Sequence, residues 1–400
     1  MMRKVILGLI GILFLMSCNK RTVETNYSVY KPVIMLRKQL VQSIKFITEQ
    51  KSLDTVTTVH VWRNYLLVGD LYKGISVYTI KNLSAPQQVG FIVIPGLVDF
   101  QMKDSLIYAN NAVDLVTIKL DLPSGAEQID RQSNVLASLY PPDNKQVNPE
   151  VFRSMPDSAV IVGWQLDSSQ LHNAVTDSLI FPYKLFALSG DYLYSVYSQY
   201  FLVYFVGQGV PQYKGVINPN IGYLERLEVH GGHLLAVSMA EVKSFSLSDN
   251  PSLPSQELEF IGVNAGNFFD IKPGEDTSYF FVTSHSNAGY WILENNLRIY
   301  NLGQFNQSVL DTNLALSRPY DLNIRDSLLY VCSSGIKVYK FKQGKLSQLN
   351  SISTDARKLY FASDTLLVTI GRKQLTIYKV KADQIEPMSH ISIVYPWVVQ

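Results

Sequence analysis

Three aspartates recur at comparable places along the chain: Asp99, Asp270 and Asp321 each stand at the start of a strand that precedes a Leu-Leu-Tyr-Val type of strand. Carboxylates gathered around one cavity would bind a cation or a sugar, or raise one another's pKa. The preferred reading is structural: each Asp accepts hydrogen bonds from N–H groups at strand and turn boundaries. The densest histidine group is His230 and His233 with Glu225 and Glu228 nearby. A metal centre needs three or four converging ligands. Here the pair straddles Gly231-Gly232, a hairpin turn expected to leave both rings in solvent, so no metal is assigned. Cys332 follows an apolar strand with no His or acid beside it, which suits a buried filler better than a nucleophile. The chain holds no Gly-x-Ser-x-Gly elbow, no Gly-rich phosphate loop and no His-Glu-x-x-His pair. No catalytic residue and no cofactor is assigned, and nothing in the motifs argues for an enzyme.

Aromatic residues are the other candidates for contact with a ligand. The chain has 24 tyrosines, most of them in strands. Tyr140, Tyr290 and Trp291 fall in loops, where rigid rings stack on sugars or anchor a protein partner at low entropic cost.

The elements that must position these residues are strands. Apolar residues alternate with period two, broken by Gly, Asn, Asp and Pro, and long helical stripes are nearly absent. A unit repeats: a polar turn, a strand of the type LLYV, a short loop and a strand of the type GIxVYxI. Its first copy runs from Asn64 to Ile80, and its clearest copies are Asp326 to Tyr339 and Asp364 to Tyr378. The second strands end at positions 78, 118, 204, 245, 300, 339 and 378, giving spacings of 40, 86, 41, 55, 39 and 39. A period of roughly 40 residues is that of one four-stranded propeller blade. The expectation is therefore an all-β chain, a β-propeller of seven four-stranded blades over 39–400, with eight blades as the alternative. The long spacing marks an insertion near 121–182 or a decayed eighth unit, and a smaller insertion is expected near 284–294. Residues Leu40 to Ile47 are expected to add a strand that pairs with the last blade and helps close the ring.

Several segments resemble the LVIVD-repeat β-propeller lipoproteins of bacterial envelopes: Lys73-Gly74-Ile75, Gly90 to Gly96, Val113 to Val116, Val162-Gly163-Trp164, Arg318 to Asp321 and Tyr330-Val331-Cys332. Tyr30-Lys31-Pro32-Val33 is similar to the family's segment before the first blade. The resemblance spans essentially the whole chain after residue 18, and implies a fold and a compartment without a reaction. It departs in the loops after the third strand, where the family's Asp-Ile-Ser-Asp-Pro is replaced by Asn82-Leu83-Ser84 or Phe341-Lys342-Gln343.

The N-terminus agrees with that compartment. Arg3 and Lys4 precede an uninterrupted apolar run, Val5 to Met16, that is too short to span a bilayer, which takes about 20 apolar residues. Leu15-Met16-Ser17-Cys18 resembles the lipobox of bacterial lipoproteins. Residues 1–17 are thus expected to be a signal peptide cleaved before a lipidated Cys18, and 18–38 a tether. Two or more acyl chains anchor stably. Once Cys18 is acylated, Cys332 is the only free thiol, so stability must come from core burial, which a chain that is 47% hydrophobic and 17% charged can supply. The net charge of +2 includes Arg3 and Lys4 and gives no attraction to nucleic acid.

These readings combine into an expected lipid-anchored module of the cell envelope, monomeric and held at the outer membrane, that binds or assembles a protein or glycan partner without catalysis. The alternative is a propeller hydrolase or lyase of glycans that uses the channel carboxylates.

Overall fold

The computed structural model describes residues 27–143, 145–166, 184–222, 224–238, 241–248, 250–261, 269–273, 278–284, 295–301, 309–325, 327–342 and 345–394. Two strands face each other outside the repeat: β1 (Tyr30–Leu36) pairs antiparallel with β11 (Ala159–Leu166). Two one-turn helices, α1 (Arg37–Val41) and α2 (Pro149–Arg153), accompany them.

Among the described residues, all other strands belong to antiparallel meanders. The first sheet runs β3 (Val56–Trp62), β4 (Tyr65–Asp70), β5 (Gly74–Thr79) and β6 (Gln87–Val93), and carries β2 (Lys45–Ile47) on its outer edge. The second holds β7 (Phe100–Lys103), β8 (Leu106–Asn111), β9 (Asp114–Asp121) and β10 (Gly125–Gln132). The third holds β12 (Phe186–Ser189), β13 (Tyr192–Tyr197), β14 (Tyr200–Phe205) and β15 (Gln212–Ile217). The next is built from β16 (Arg226–His230), β17 (His233–Val237), β18 (Glu241–Ser246) and β19 (Ser255–Ile261). It is followed by β20 (Phe269–Pro273), β21 (Ser278–Ser284), β22 (Asn296–Asn301) and β23 (Val309–Ala315). The last two are β24 (Pro319–Arg325), β25 (Leu328–Ser333), β26 (Ile336–Lys342), β27 (Lys345–Ile352), and β28 (Lys358–Ser363), β29 (Leu366–Ile370), β30 (Gln374–Lys381), β31 (Gln384–Ser392).

The first strand of each sheet lies against the first strand of the next, and β28 returns to β3, so the sheets stand around an axis. The molecule is an all-β propeller. The expected seven four-stranded blades are corrected to six, because β2 makes the first sheet five-stranded. Gly90 explains the addition: a side chain there would collide with the Phe46 ring, so the missing Cβ leaves the space that Phe46 occupies.

Period-two alternation makes the LLYV strands work, because both faces of each sheet are covered. In β4, Leu66 and Val68 pack with Val368 and Ile377 of the last sheet, while Leu67 packs with Phe100 and Ile107 of the second. In β25, Leu329 and Val331 pack with Leu297 and Ile299, while Tyr330 and Cys332 pack with Leu367 and Tyr378. Cys332 is thus a buried filler, and burial pushes its thiol pKa well up. The tyrosine of the motif adds a hydrogen bond to the next sheet. Its hydroxyl donates to the carbonyl of Gly209 from Tyr108 (2.9 Å), of Pro251 from Tyr194 (2.6 Å) and of Ala382 from Tyr330 (2.9 Å). Each acceptor lies between the third and fourth strands of the neighbouring sheet.

Ring closure differs from expectation. The extra strand is Lys45–Ile47 alone, paired with β6 rather than with the last sheet, and Leu40 is in α1. Closure comes from the core shared by the first and last sheets, a parallel bridge between Leu53 and Ile393, and a 2.7 Å bond from the Val394 N–H to the Leu53 carbonyl.

The anticipated insertion at 121–182 begins later, since Gly125–Gln132 is the outer strand of the second sheet. That strand reads Gly-Ala-Glu-Gln-Ile-Asp-Arg-Gln, and as an outer strand, half-buried at most positions, it shows no apolar alternation. Residues 133–166 hold α2 and β11, and among the described residues they form no further blade. The smaller insertion falls outside the described residues apart from Ser284, which ends β21. Part of the anticipated tether is folded: β1 lies on β11, and Arg37 pairs at 2.8 Å with buried Asp114, which Arg131 also holds at 2.5 Å. Leu40, Ala112 and Val162 pack beneath this arm. Because the loop from β10 to β12 leaves from the face where inner strands start, β1 and β11 sit on that face.

Candidate binding site in the central channel

Inner strands of a ring face one another across the axis rather than a neighbouring sheet, so their axial side chains need not be apolar. Asp99, Arg226, Glu228, Asp321 and Lys358 are all buried there. Asp99 and Asp321 perform one task at two places. The Phe100 N–H and the Phe186 N–H each donate to the Asp99 carboxyl at 2.9 Å, tying the second sheet to the third. The Leu322 N–H (2.8 Å) and the Leu359 N–H (2.7 Å) donate to Asp321 and tie its sheet to the last one. Burial pushes both carboxyls up to about 7, against the pull of these N–H groups, Lys184 and Lys358. Asp270 falls in β20, paired with Phe281, and its side chain is not among those described.

Glu228 gathers the cations. Its Oε1 lies 3.2 Å from Arg226 Nε and 3.3 Å from Lys184 Nζ, and its Oε2 lies 2.8 Å from His230 Nε2. Burial opposes its ionisation, but Lys184, His230 and Arg226 together overcome that cost and hold its pKa well below the usual carboxylate range. The hairpin at Gly231-Gly232 is as read from the sequence, with both glycines at positive φ (54° and 82°). The histidines are not both free in solvent, however: His230 turns to Glu228, and His233 Nδ1 sits 3.3 Å from the Ser244 hydroxyl.

Neighbouring strands supply the rest of the wall. His60 donates from Nε2 to the Phe100 carbonyl at 3.0 Å, and burial lowers its pKa to about 4, keeping the ring neutral near pH 7. Burial and Lys184 bring Lys358 down to about 8 against the opposing pull of Asp321, Asp99 and Glu228. Lys358 Nζ (3.4 Å) and the Tyr360 hydroxyl (3.1 Å) both donate to the Thr57 carbonyl. Between these groups lies a cavity of about 260 Å³, lined among others by His60, Lys184, Glu228, His230, Asp321 and Tyr360. His230 ends its strand and His60 and Phe361 come late in theirs, which places this part of the wall toward the face opposite β1 and β11.

Chemically, the arrangement offers fixed charges and hydrogen-bonding groups to a polar ligand. Among the described residues, Asp99 and Asp321 are engaged by backbone N–H groups and Glu228 by three cations. Among the described residues, no three His, Cys, Asp or Glu side chains converge as metal ligands. Of the loop aromatics, Tyr140 is half exposed and borders a second cavity, whereas Tyr290, Trp291 and Cys18 lie outside the described residues. The residues that sequence reasoning missed are His60, Lys184, Arg226, Lys358 and Tyr360. Alternate polar positions on inner strands, Arg226-x-Glu228-x-His230 and Lys358-x-Tyr360, were the available signal.

No family model matches the chain, and no curated protein matches it. Solved structures do resemble it. A functionally unknown protein from Desulfotomaculum acetoxidans DSM 771 is 12% identical with a TM-score of 0.52, over 83% of this chain and 100% of that one. The computationally designed Ika8 protein is 12% identical with a TM-score of 0.50, over 86% and 91% of the two chains. A candidate 6-phosphogluconolactonase from Bacteroides uniformis ATCC 8492 is 12% identical with a TM-score of 0.52, over 90% and 99%. At such identity the likeness concerns the fold alone, and the fold it supports is the propeller.

Proposed function

We propose that this chain is a lipid-anchored binding module of the bacterial envelope, of the LVIVD-repeat kind, that holds a polar protein segment or a glycan in its central channel. The observation that carries the reading is the state of the channel carboxylates. Among the described residues, Asp99 and Asp321 are engaged in joining sheets and Glu228 in ion pairs, so the cavity wall presents polar groups already fixed in place. Preset polar groups around a cavity are what selective binding requires.

Anchoring rests on the order of residues 3 to 18 and on geometry. A chain from Cys18 to Tyr30 reaches at most about 40 Å, and Tyr30 starts the strand on the face of β11. The lipid then holds that face toward the membrane and leaves the opposite mouth of the channel turned away from it.

The test uses full-length lipidated protein in detergent to retain partners from solubilised envelopes, beside a Lys184→Met variant. The wild type should retain a protein or glycan that the variant loses by at least tenfold. Retention of nothing by the wild type, or equal retention by both, would overturn the proposal. A Cys18→Ser variant should leave the membrane fraction, and one that stays would defeat the anchoring part.

A further inference from the structure

The arm formed by residues 27–41 carries apolar side chains that the ring does not cover. Val33, Ile34 and Leu36 of β1 are each 43% exposed, Val41 at the end of α1 is 44% exposed and Phe152 of α2 is 52% exposed. They belong to one assembly. The Ser28 N–H donates to the Gln146 carbonyl and the Arg37 N–H to the Ser158 carbonyl, both at 2.8 Å, so the segment with Phe152 is bound at either end of the arm. Successive residues of a strand point to opposite faces. Met35 turns to Leu40 and Val162, and Ile34 and Leu36 share the other face of β1. Among the described residues, no strand lies on the second side of β1. Apolar side chains left together on a surface mark a site that meets another apolar phase or partner.

The charges around them have one sign. Residues 27–48 contain Lys31, Arg37, Lys38 and Lys45 and no acid. Arg37 is turned to Asp114, whereas Lys31, Lys38 and Lys45 are exposed. Lys45 pairs with Val93, the last residue of β6, which ends on the face of β1 and β11. The bound segment 146–158 brings Glu150, Arg153 and Asp157, and Glu150 is paired with Arg153. Ahead of the arm, the sequence adds Lys20 and Arg21 against Glu24. Exposed apolar side chains with an excess of lysine are the composition that settles at an anionic lipid surface, the apolar groups entering the headgroup region and the ammonium groups meeting phosphates.

The length of chain before the arm supplies the third observation. Tyr27 follows Cys18 by nine residues, a reach of at most about 32 Å. A lipid on Cys18 therefore keeps the arm at a high effective concentration beside the bilayer, where a weak contact becomes a populated one.

We propose that the arm is a second membrane contact: Val33, Ile34, Leu36, Val41 and Phe152 rest in the headgroup region of an anionic bilayer, with Lys31, Lys38 and Lys45 on its phosphates. The inference rests on the anchoring part of the proposed function and turns a flexible leash into a fixed seat, with the channel mouth opposite β1 and β11 pointing away from the lipid. It does not depend on the channel's partner.

The experiment is fluorescence quenching by lipid. Full-length lipidated protein carries a nitrobenzoxadiazole dye through Leu36→Cys or, as the control, through Leu253→Cys. Leu253 is 66% exposed in the loop from β18 to β19, on the opposite face, and Cys332 is buried away from the label. The protein is reconstituted in vesicles of phosphatidylcholine and phosphatidylglycerol that contain spin-labelled phosphatidylcholine. Quenching at position 36 should exceed that at position 253 at least threefold. It should fall at least twofold in vesicles of phosphatidylcholine alone, and equally when Lys31→Glu and Lys38→Glu are combined. The vesicles without phosphatidylglycerol keep the charge test valid if the double variant does not fold. Equal quenching at the two positions, or quenching at position 36 that ignores lipid charge, would overturn the membrane contact. A blue-shifted but unquenched dye at position 36 would place a second copy on the strand and overturn it as well. Mass spectrometry of the same samples reports acylation of Cys18 separately: an unacylated Cys18 defeats the anchoring and the arm's role with it, whereas acylated protein that fails the quenching test defeats the arm's role alone.

Discussion

Asp321→Asn probes the joint between the last two sheets, and its effect should depend on pH in a calculable way. The Asp321 carboxyl accepts the Leu322 N–H at 2.8 Å and the Leu359 N–H at 2.7 Å. In the variant, one of these buried donors faces an amide NH₂ instead of an oxygen, a loss of about 1–3 kcal/mol. The pH dependence has the opposite leaning. Burial raises this carboxyl from 3.8 to about 7 in the folded protein, so the native state binds more protons than the unfolded chain between those values. A raised acid of this kind contributes stability that is full below pH 3.8 and is lost as pH rises through about 7. At about 1.36 kcal/mol per pH unit per proton, the wild type loses about 2–3 kcal/mol from this group between pH 5 and pH 8. Asn does not titrate and loses none of it. Urea unfolding followed by circular dichroism at pH 5, 6.5 and 8 should therefore show the variant clearly weaker at pH 5 and near or above the wild type at pH 8. Subtracting the variant from the wild type removes the titrating groups that Asp321 does not act on, among them His60, whose lowered pKa acts with the opposite sign below pH 6.5. A wild-type advantage that stays constant from pH 5 to pH 8 would refute a buried, N–H-bound carboxyl at this joint.

Three further perturbations report on other joints. Tyr330→Phe removes only the hydroxyl that donates to the Ala382 carbonyl, and should cost about 1 kcal/mol in urea unfolding without changing the circular dichroism spectrum. Arg37→Ala strips one of the two guanidinium partners from buried Asp114; limited proteolysis should then cut within 27–41 before any site in the ring, and unchanged cleavage order would count against the docked arm. Gly90→Ala places a Cβ against the tip of the Phe46 ring, so strand Lys45–Ile47 should lose hydrogen-exchange protection while β5 keeps it, at a cost of about 1–3 kcal/mol.

Much of the ring was legible because its rules are local. An LLYV strand between two covered faces shows an apolar side chain at every position, and the recurring Asp before it marks a boundary whose N–H groups need an acceptor. Asp99 and Asp321 behave in this structural way. The parts that local sequence does not announce depend on contacts between distant segments. Tyr30 pairs with Leu166, which nothing near either residue announces. The strand Gly125–Gln132 carries too few apolar residues to be seen in a chain scanned for alternation, and its neighbour across the sheet, β9, is what holds it. Lys45–Ile47 had the right strand character but the wrong partner, and the choice was made by a missing Cβ at Gly90.

The channel was legible only in fragments. Glu228 and His230 stand close together in the sequence, yet the glycine pair beside them suggests a solvated turn. Their partner Lys184 arrives from the end of the insertion, and Lys358 from the last sheet, so the group exists only once the ring is closed. Alternating polar residues on an inner strand are the pattern to look for in such chains, since only the axis tolerates them without a covering sheet.

In the proposed function the channel, and not the outer wall, meets the partner. A photo-crosslinking amino acid placed at Asn323, in the channel cavity, should capture an envelope partner in living cells, whereas the same group at Leu349, 44% exposed on the outermost strand β27, should capture none. Adducts at Leu349 with none at Asn323 would contradict the account.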